Sequence, residues 1–173
     1  NLIHSLALYI ICMILITLYC SVVYFTGHTF WQENAQGSLI IDENKQIRGS
    51  ALIAQNLKSQ QFFLPRSSEK FDSSCDVALY NDKLRSGLLE RYRNADRPYD
   101  ISSLTPSASL IDPYIMKRDA INQAIKIAKA RNIDPTILLR LIDDLSLDNS
   151  GAFFDLEIVN TTILNSVLSG YIK

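Results

Sequence analysis

Apolar residues are distributed unevenly along this chain of 173 residues. From Leu6 to Phe25 every position is apolar except Thr17 and Ser21, and no Asp, Glu, Lys or Arg occurs before Glu33. A helix over this run is roughly 30 Å long, the thickness of one hydrocarbon core. The pattern predicts a single membrane-spanning helix, in which the two hydroxyls bond back to carbonyls one turn earlier. We take residues 1–27 as the anchor, with Leu6, Ile10, Ile14, Leu18 and Phe25 among its apolar residues.

A cleaved signal peptide is the competing interpretation of this segment. The apolar run exceeds the roughly 7 to 15 residues of a signal peptide, and no small-x-small cleavage site follows it. We therefore expect the helix to be retained and to be followed by a short polar stalk at residues 28–36. Charge assigns no orientation, because no Lys or Arg precedes the span and the charges after it are mixed. The absent initiator Met and basic flank lead us to expect a few residues before Asn1.

Residues 37–173 have the pattern of a water-soluble domain, since all 17 basic and 18 acidic residues follow Gln32. Ser38 to Ile41 and Ile47 to Ile53 predict two short strands, which the polar turn at 42–45 joins into a hairpin. Phe62 to Leu64 predicts a third strand that Pro65 stops.

Helical periodicity dominates the second half of the chain. Asn81 to Arg93 predicts one helix, and the Pro- and Ser-rich residues 94–113 predict mostly extended or turn structure. Asp134-Pro135 is a strong helix start, because the carboxylate can accept from free N–H groups at the first turn. The predicted apolar faces are Ile121, Ala124, Ile125 and Ala128; Leu138, Leu141, Ile142 and Leu145; and Ile163, Leu164, Val167 and Leu168.

One more strand completes the predicted fold. Leu156 to Val159 is β-prone, and Asn160 is placed to cap the last helix. Short strands at the front and amphipathic helices behind predict an α+β domain at residues 37–173.

The inventory of reactive side chains argues against catalysis by this chain. His4 and His28 are the only histidines and both flank the span, so the domain has no His-based triad or metal cluster. There is no Gly-x-x-x-x-Gly-Lys phosphate loop and no Asp-Lys-Thr-Gly sequence. Asp143 and Asp144 are neighbours on different helix faces and predict a solvated helix end. We expect no catalytic residue and no metal, and the net charge of −1 gives no reason to expect nucleic acid.

Three groups of residues carry a family resemblance. They are Gly37 to Ile40 with Ile47 to Ile53 and Gln55-Asn56; Ser107 to Ser109 with Asp112-Pro113, Gln123 and Ala128 to Arg131; and Val159-Asn160 with Leu164-Asn165 and Leu168. With the single span, their order and spacing resemble the C subunit of the Kdp potassium-transporting ATPase over nearly the whole chain. The chain departs from that family where Leu110 and Ala54 stand in place of glycines, and glycine permits positive φ or close backbone approach.

The resemblance implies a non-catalytic accessory subunit in the cytoplasmic membrane, with its domain outside the cytoplasm. The implied partners are a potassium-channel-like subunit, a P-type ATP-hydrolysing subunit and a small membrane subunit, besides membrane lipid. The family is also described as a catalytic chaperone for ATP binding. That role implies contact of Ser107, Ser109, Asp112 and Gln123 with ATP held by the complex, and no tightly bound cofactor in this chain.

The residues themselves favour structural use of this motif, with nucleotide contact as the alternative. Ser and Asp before a helix are typical caps, and the carboxylate of Asp112 would repel phosphate. A basic set follows, in which Lys126, Lys129 and Arg131 are a candidate docking surface and a solvated face is the plainer interpretation. The alternative function is that of a free-standing single-pass protein whose outer domain binds a small ligand or peptide.

Overall fold

A computed structural model of the chain describes residues 2–55, 57, 59–66, 81–94, 101–148 and 156–170. The chain divides into two compact units, residues 1–39 and residues 40–173. Predictions for Pro65 to Asp76 fall outside the described residues from position 67 onward.

The first unit is dominated by helix α1 (Leu2–Phe30), which is long and apolar enough to cross a membrane. None of its side chains is buried within the protein, as expected of a helix that lipid or partner helices surround. Thr17 Oγ1 donates to Met13 O and Ser21 Oγ donates to Thr17 O, both at 2.8 Å, which confirms the predicted back-bonding. A short helix, α2 (Gln32–Ala35), follows, so most of the segment predicted as a stalk is helical.

Strands β1 (Leu39–Ile41) and β2 (Ile47–Ser50) form the predicted hairpin, and all of it except Leu39 belongs to the second unit. Strand β2 ends three residues earlier than predicted, because Ile53 N donates to Ser50 O and closes a turn. The side chain of Asn160 donates to Ala51 O, and that of Thr162 donates to Ile53 O. These side chains supply the hydrogen bonds that a neighbouring strand would otherwise give to the two carbonyls.

Two helices precede the main sheet. Helix α3 (Asp82–Asn94) confirms the first helical prediction. The segment 94–113, predicted as mostly extended or turn, contains a four-residue helix, α4 (Ile101–Leu104), and its residues 95–100 lie outside the described part of the chain.

The main sheet has three short antiparallel strands in the order β3, β5, β4: β3 (Tyr114–Met116), β4 (Ser146–Asp148) and β5 (Glu157–Asn160). Strand β5 was predicted, and β3 and β4 were not. Ile115 pairs with Val159 and Leu147 pairs with Ile158, so β5 joins the two three-residue strands. A strand of three residues is too short to show an alternation of apolar and polar positions, so the sequence did not predict β3 or β4. Their extended structure depends on pairing with β5.

Helices α5 (Lys117–Arg131), α6 (Pro135–Leu145) and α7 (Thr161–Leu168) complete the α+β fold, which is confirmed. The predicted caps are confirmed as well: Asp134 accepts from Thr136 N at 2.8 Å, and Asn160 accepts from Thr162 N and Ile163 N. The core lies between these helices and Ile115 and Val159 of the sheet. It consists of Phe63, Ile115, Ala120, Ala124, Ile127, Ala128, Leu138, Ile142, Val159 and Leu164.

The buried face of α5 agrees with the predicted one in part, since Ala124 and Ala128 are buried as expected. Ile121 and Ile125, expected in the core, are exposed, whereas Asp119, Ala120, Gln123 and Ile127 are buried. The hydrophobic pattern failed here because it assigns polar residues to the outside. Asp119 and Gln123 are inside because each has hydrogen-bond partners there.

Candidate functional site

Two side-chain amides, which we call the amide clamp, hold the backbone of Phe63 and Leu64. Gln123 on α5 accepts from Leu64 N at 2.8 Å and donates to Leu64 O at 3.1 Å. Asn165 on α7 accepts from Phe63 N and donates to Phe63 O, both at 2.8 Å. Gln123 is 5% exposed and Asn165 is 2% exposed, so all four bonds involve buried amides.

The amide clamp explains why the strand predicted at residues 62–64 is absent from the structure, where this segment has no strand partner. Buried backbone N–H and C=O groups need partners, and a primary amide offers the same donor and acceptor pair as a neighbouring strand. Phe63, whose side chain is fully buried, is therefore anchored in the core without a sheet. The prediction of a third strand was wrong.

Arg131 fastens the start of the same segment. Its Nε donates to Gln61 O at 2.7 Å, its Nη1 donates to Leu168 O at 3.0 Å, and its guanidinium lies 4.8 Å from the centre of the Phe62 ring. Burial lowers the pKa of Arg131, although a guanidinium stays charged at any physiological pH. Arg131 thus ties the end of α5 to α7 and to residues 61–62.

The Ser- and Asp-containing loop before β3 is held by local bonds. Ser109 accepts from Ile111 N at 3.4 Å, and Asp112 accepts from Tyr114 N at 3.0 Å. Ser107 is buried, and its carbonyl accepts from Leu110 N. These are turns before a strand, and the residue that precedes α5 is Met116, which has no side-chain cap bond. The expectation of helix caps here is corrected to turn bonds within the loop.

Leu110 in this loop has a φ of 63°, in the left-handed region. The loop keeps a conformation that glycine adopts without strain, although its residue here is a leucine.

A cleft of about 320 Å³ lies next to this loop, at the sheet edge formed by β3. Arg66 lines it and donates to Thr105 O and Pro106 O, and its Nη1 lies 3.8 Å from a carboxylate oxygen of Asp112. Two of the lining hydroxyls, those of Ser102 and Ser103, donate to the buried carboxylate of Asp119. The lining residues are Arg66, Ser102, Ser103, Thr105, Asp112, Tyr114, Ile115, Met116 and Ile158.

The four residues of the predicted nucleotide motif do not converge on one surface. Asp112 lines the cleft, Ser109 is exposed on its turn, Ser107 is buried, and Gln123 is engaged in the amide clamp. Sequence reasoning did not find that Asn165 and Gln123 bind adjacent backbone residues, and it missed the roles of Arg66 and Asp119. The partners of Arg66 lie 39 or more residues away along the chain, and the partner of Asn165 lies 102 residues away. A local sequence pattern therefore cannot indicate these contacts.

The predicted docking residues divide between two sides of α5. Lys126 and Lys129 are exposed, whereas Arg131 projects about 160° away from Lys129 at 100° per residue. Lys117, at the start of the helix, binds Asp143 at 2.9 Å and Glu157 at 3.1 Å, and these carboxylates raise its pKa. The solvated helix end predicted for Asp143 and Asp144 is confirmed by their exposure, with Lys117 as a partner of Asp143.

No group of three or more His, Cys, Asp or Glu side chains that could hold a metal ion occurs within the described ranges. Together, the candidate spanning helix and the small α+β unit define a protein with one candidate membrane span and one α+β domain. Comparison with known proteins identifies the family within this class.

A family model described as the K+-transporting ATPase, c chain (KdpC), matches residues 2–170. The chain is 32% identical to the potassium-transporting ATPase KdpC subunit of Mycobacterium tuberculosis over 157 residues, which cover 82% of each chain. It is 30% identical to the KdpC subunit of Serratia proteamaculans, covering 92% of this chain and 94% of that protein. It is 27% identical to the KdpC subunit of Parvibaculum lavamentivorans, covering 87% and 85%. The chain belongs to the KdpC family of potassium-transporting ATPase subunits.

Proposed function

We propose that this chain is the non-catalytic accessory subunit of a Kdp potassium-transporting ATPase, and that it stabilises the assembled complex. Membership of the KdpC family supports the assignment to the complex. The observation that carries the structural role is the engagement of Gln123, whose amide oxygen and nitrogen both bond to Leu64. Both polar groups of this amide are engaged with Leu64 and the side chain is 5% exposed, which favours a structural role over contact with a nucleotide.

The partners that we propose are the potassium-channel-like subunit, the ATP-hydrolysing P-type subunit and a small membrane subunit of the same complex. In this proposal ATP binds to the hydrolysing subunit. Any effect of this chain on ATP binding then follows from its stabilisation of the assembled complex. Helix α1 supplies the membrane part of the contact through packing against partner spans. The free-standing ligand-binding alternative is disfavoured, because the family match spans nearly the whole chain.

The test separates assembly from nucleotide contact. Tagged full-length chain is purified from membranes with the other ATPase subunits, and complex yield and ATP affinity are measured for wild type and for a Gln123→Ala and Ser109→Ala double variant. We expect yield and ATPase activity to fall together. Weakened ATP binding at unchanged yield would overturn the structural role in favour of nucleotide contact.

We further propose that the domain lies outside the cytoplasm, as the family resemblance implies. Thr136 is exposed at the start of α6, so the substitution Thr136→Cys provides a site for labelling. In a background without Cys75, a membrane-impermeant maleimide should label this cysteine in intact cells. Labelling that requires cell lysis would reverse the orientation.

A further inference from the structure

Ring-bearing side chains are concentrated at the carboxyl end of helix α1. The ring of His28 stacks on that of Tyr24 with their centres 4.4 Å apart, and the ring centres of Phe30 and Trp31 lie 5.9 Å apart. We name this set of side chains within residues 24–31 the ring belt, and it consists of Tyr24, Phe25, His28, Phe30 and Trp31.

The ring belt surrounds the helix and does not mark one side of it. At 100° per residue, Phe25 lies about 100° from Tyr24, and Phe30 lies about 120° from Tyr24 in the opposite direction. These three side chains are between 59% and 72% exposed. A partner helix packs against one side of a spanning helix, whereas lipid reaches every side. The distribution of the rings therefore favours lipid as the material that they contact.

The length of α1 requires part of it to lie outside the hydrocarbon core. Helix α1 has 29 residues. At 1.5 Å per residue it extends about 43 Å, whereas the core is about 30 Å thick. Tilting alone would have to reach about 45°, beyond the range of spanning helices. If the ring belt lies outside the core, residues 2–23 extend about 33 Å, and an ordinary tilt of about 25° fits them to it.

The polar groups of this segment suit a depth between hydrocarbon and water. The hydroxyls of Thr26 and Thr29 donate to carbonyls one turn earlier, at 2.8 and 2.7 Å, so they need no water. Trp31 N donates to Gly27 O at 2.9 Å, but the φ of −134° and ψ of 53° at Trp31 end the helix there. The first charged residue, Glu33, follows two positions later. Tyrosine and tryptophan, with an apolar ring and a polar tip, favour this interfacial depth.

We propose that the ring belt binds the headgroup region of a phospholipid bilayer, with Tyr24 at the boundary of the acyl chains and Trp31 among the headgroups. The inference rests on the proposed function, because α1 must be a membrane span, and it names the lipid region that these side chains contact. Residues 2–23 then cross the hydrocarbon core, and residues 24–27 of the predicted anchor lie outside it. Since no Asp, Glu, Lys or Arg precedes Glu33, a zwitterionic phospholipid is sufficient for this contact.

The experiment uses Trp31, the one tryptophan of the chain, as a fluorescent reporter. Full-length chain is reconstituted in phosphatidylcholine vesicles that carry a nitroxide quencher either on the headgroup or near the end of an acyl chain. The headgroup nitroxide should quench Trp31 at least about twofold more strongly than the chain-end nitroxide. Tyr24→Trp in a Trp31→Phe background should be quenched by the headgroup nitroxide more weakly than Trp31 and by the chain-end nitroxide more strongly.

Leu15→Trp in the Trp31→Phe background is the matched control. Leu15 is 59% exposed, close to the 63% of Trp31, and it lies near the middle of residues 2–23. The chain-end nitroxide should therefore quench it more strongly than the headgroup nitroxide, the reverse of the order for Trp31. Unchanged helix content by circular dichroism confirms that the variants fold.

The outcomes separate this inference from the proposed function. If the chain-end nitroxide does not quench Leu15→Trp, α1 does not cross the bilayer, and both the membrane anchoring and the ring belt fail. If Leu15→Trp is quenched as expected but the chain-end nitroxide quenches Trp31 as strongly as the headgroup nitroxide does, only the ring belt is refuted. Quenching of Trp31 by aqueous iodide and by neither lipid nitroxide would also refute it, and would leave these rings available to a partner protein.

Discussion

Gln123 and Leu64 exchange two hydrogen bonds although 59 residues separate them, at 2.8 Å from Leu64 N and 3.1 Å to Leu64 O. Replacing Gln123 by Ala removes both and leaves the backbone groups of Leu64 without these partners. We expect the free energy of unfolding to fall by about 2 kcal/mol, the usual cost of unsatisfied buried polar groups. Urea unfolding of the detergent-solubilised full chain, followed by circular dichroism, measures it.

Hydrogen exchange locates the effect. The Leu64 amide should exchange faster in Gln123→Ala than in wild type, and Gln123→Glu should fall between them, since its carboxylate accepts from Leu64 N but cannot donate to Leu64 O. Ser109→Ala, on an exposed turn, should leave exchange at Leu64 unchanged. Equal exchange at Leu64 in all variants would show that the amide clamp does not hold this segment.

Local sequence rules were sufficient where neighbours decide the structure. Asp134 and Asn160 cap helices within three residues of themselves, and Leu138 and Ile142 are buried as their spacing indicates. The hairpin likewise closes locally, with Asp42 N donating to Gln46 O. Such features depend on contacts that a window of a few residues contains.

Distant partners explain the failures. Residues 62–64 are apolar like a strand, but Gln123 and Asn165 supply their bonds from far along the chain. Gln123 and Asp119 are buried on α5, so Ile121 and Ile125 of its predicted face are exposed while Ala124 and Ala128 are buried as predicted. At the site, Gln123 was singled out by family resemblance, and nothing in its own neighbourhood indicated that Leu64 is its partner.

Leu110 tests the strain in the loop before β3. Its φ of 63° costs an L-residue roughly 1 kcal/mol that glycine avoids. We therefore expect Leu110→Gly to be more stable than Leu110→Ala by about 1 kcal/mol, the reverse of their order in a helix. Urea midpoints of the two variants decide it, and because both lack the leucine side chain, the difference reports the backbone. Greater stability of the alanine variant would contradict a left-handed conformation at this position.

Asp42 should make the hairpin sensitive to acid. Its carboxylate accepts from Gln46 N and Asn44 N and binds Arg48 at 2.6 Å. The bond from Gln46 lowers the pKa of Asp42 below its ordinary 3.8, and Arg48 adds to this lowering. A lowered pKa in the folded state contributes stability above the ordinary value, and this contribution is lost as pH falls through the lowered one.

Asp42→Asn should therefore be less stable than wild type at neutral pH, and the difference should shrink below about pH 4. Hydrogen exchange of residues 39–50 at pH values on both sides of this window measures it. Glu43→Gln, at an exposed neighbouring carboxylate, is the control and should not reproduce the shrinking difference. A difference that stays constant with pH would show that the charge of Asp42 is not the cause.

Gly49 and Gln55 should behave as one unit in a double-mutant cycle. The amide of Gln55 donates to Arg48 O at 3.1 Å, and a Cβ at position 49 would collide with its Nε2. Gly49→Ala forces the Gln55 side chain away and should cost about 1 kcal/mol, as should Gln55→Ala, because each removes the same hydrogen bond. The double variant should cost about as much as either single variant, since the bond can be lost only once. Urea unfolding of the full chain measures these costs. Additive costs would mean that the Gly49→Ala variant is destabilised by a change in backbone conformation and not by loss of the space that Gly49 leaves for the Gln55 side chain.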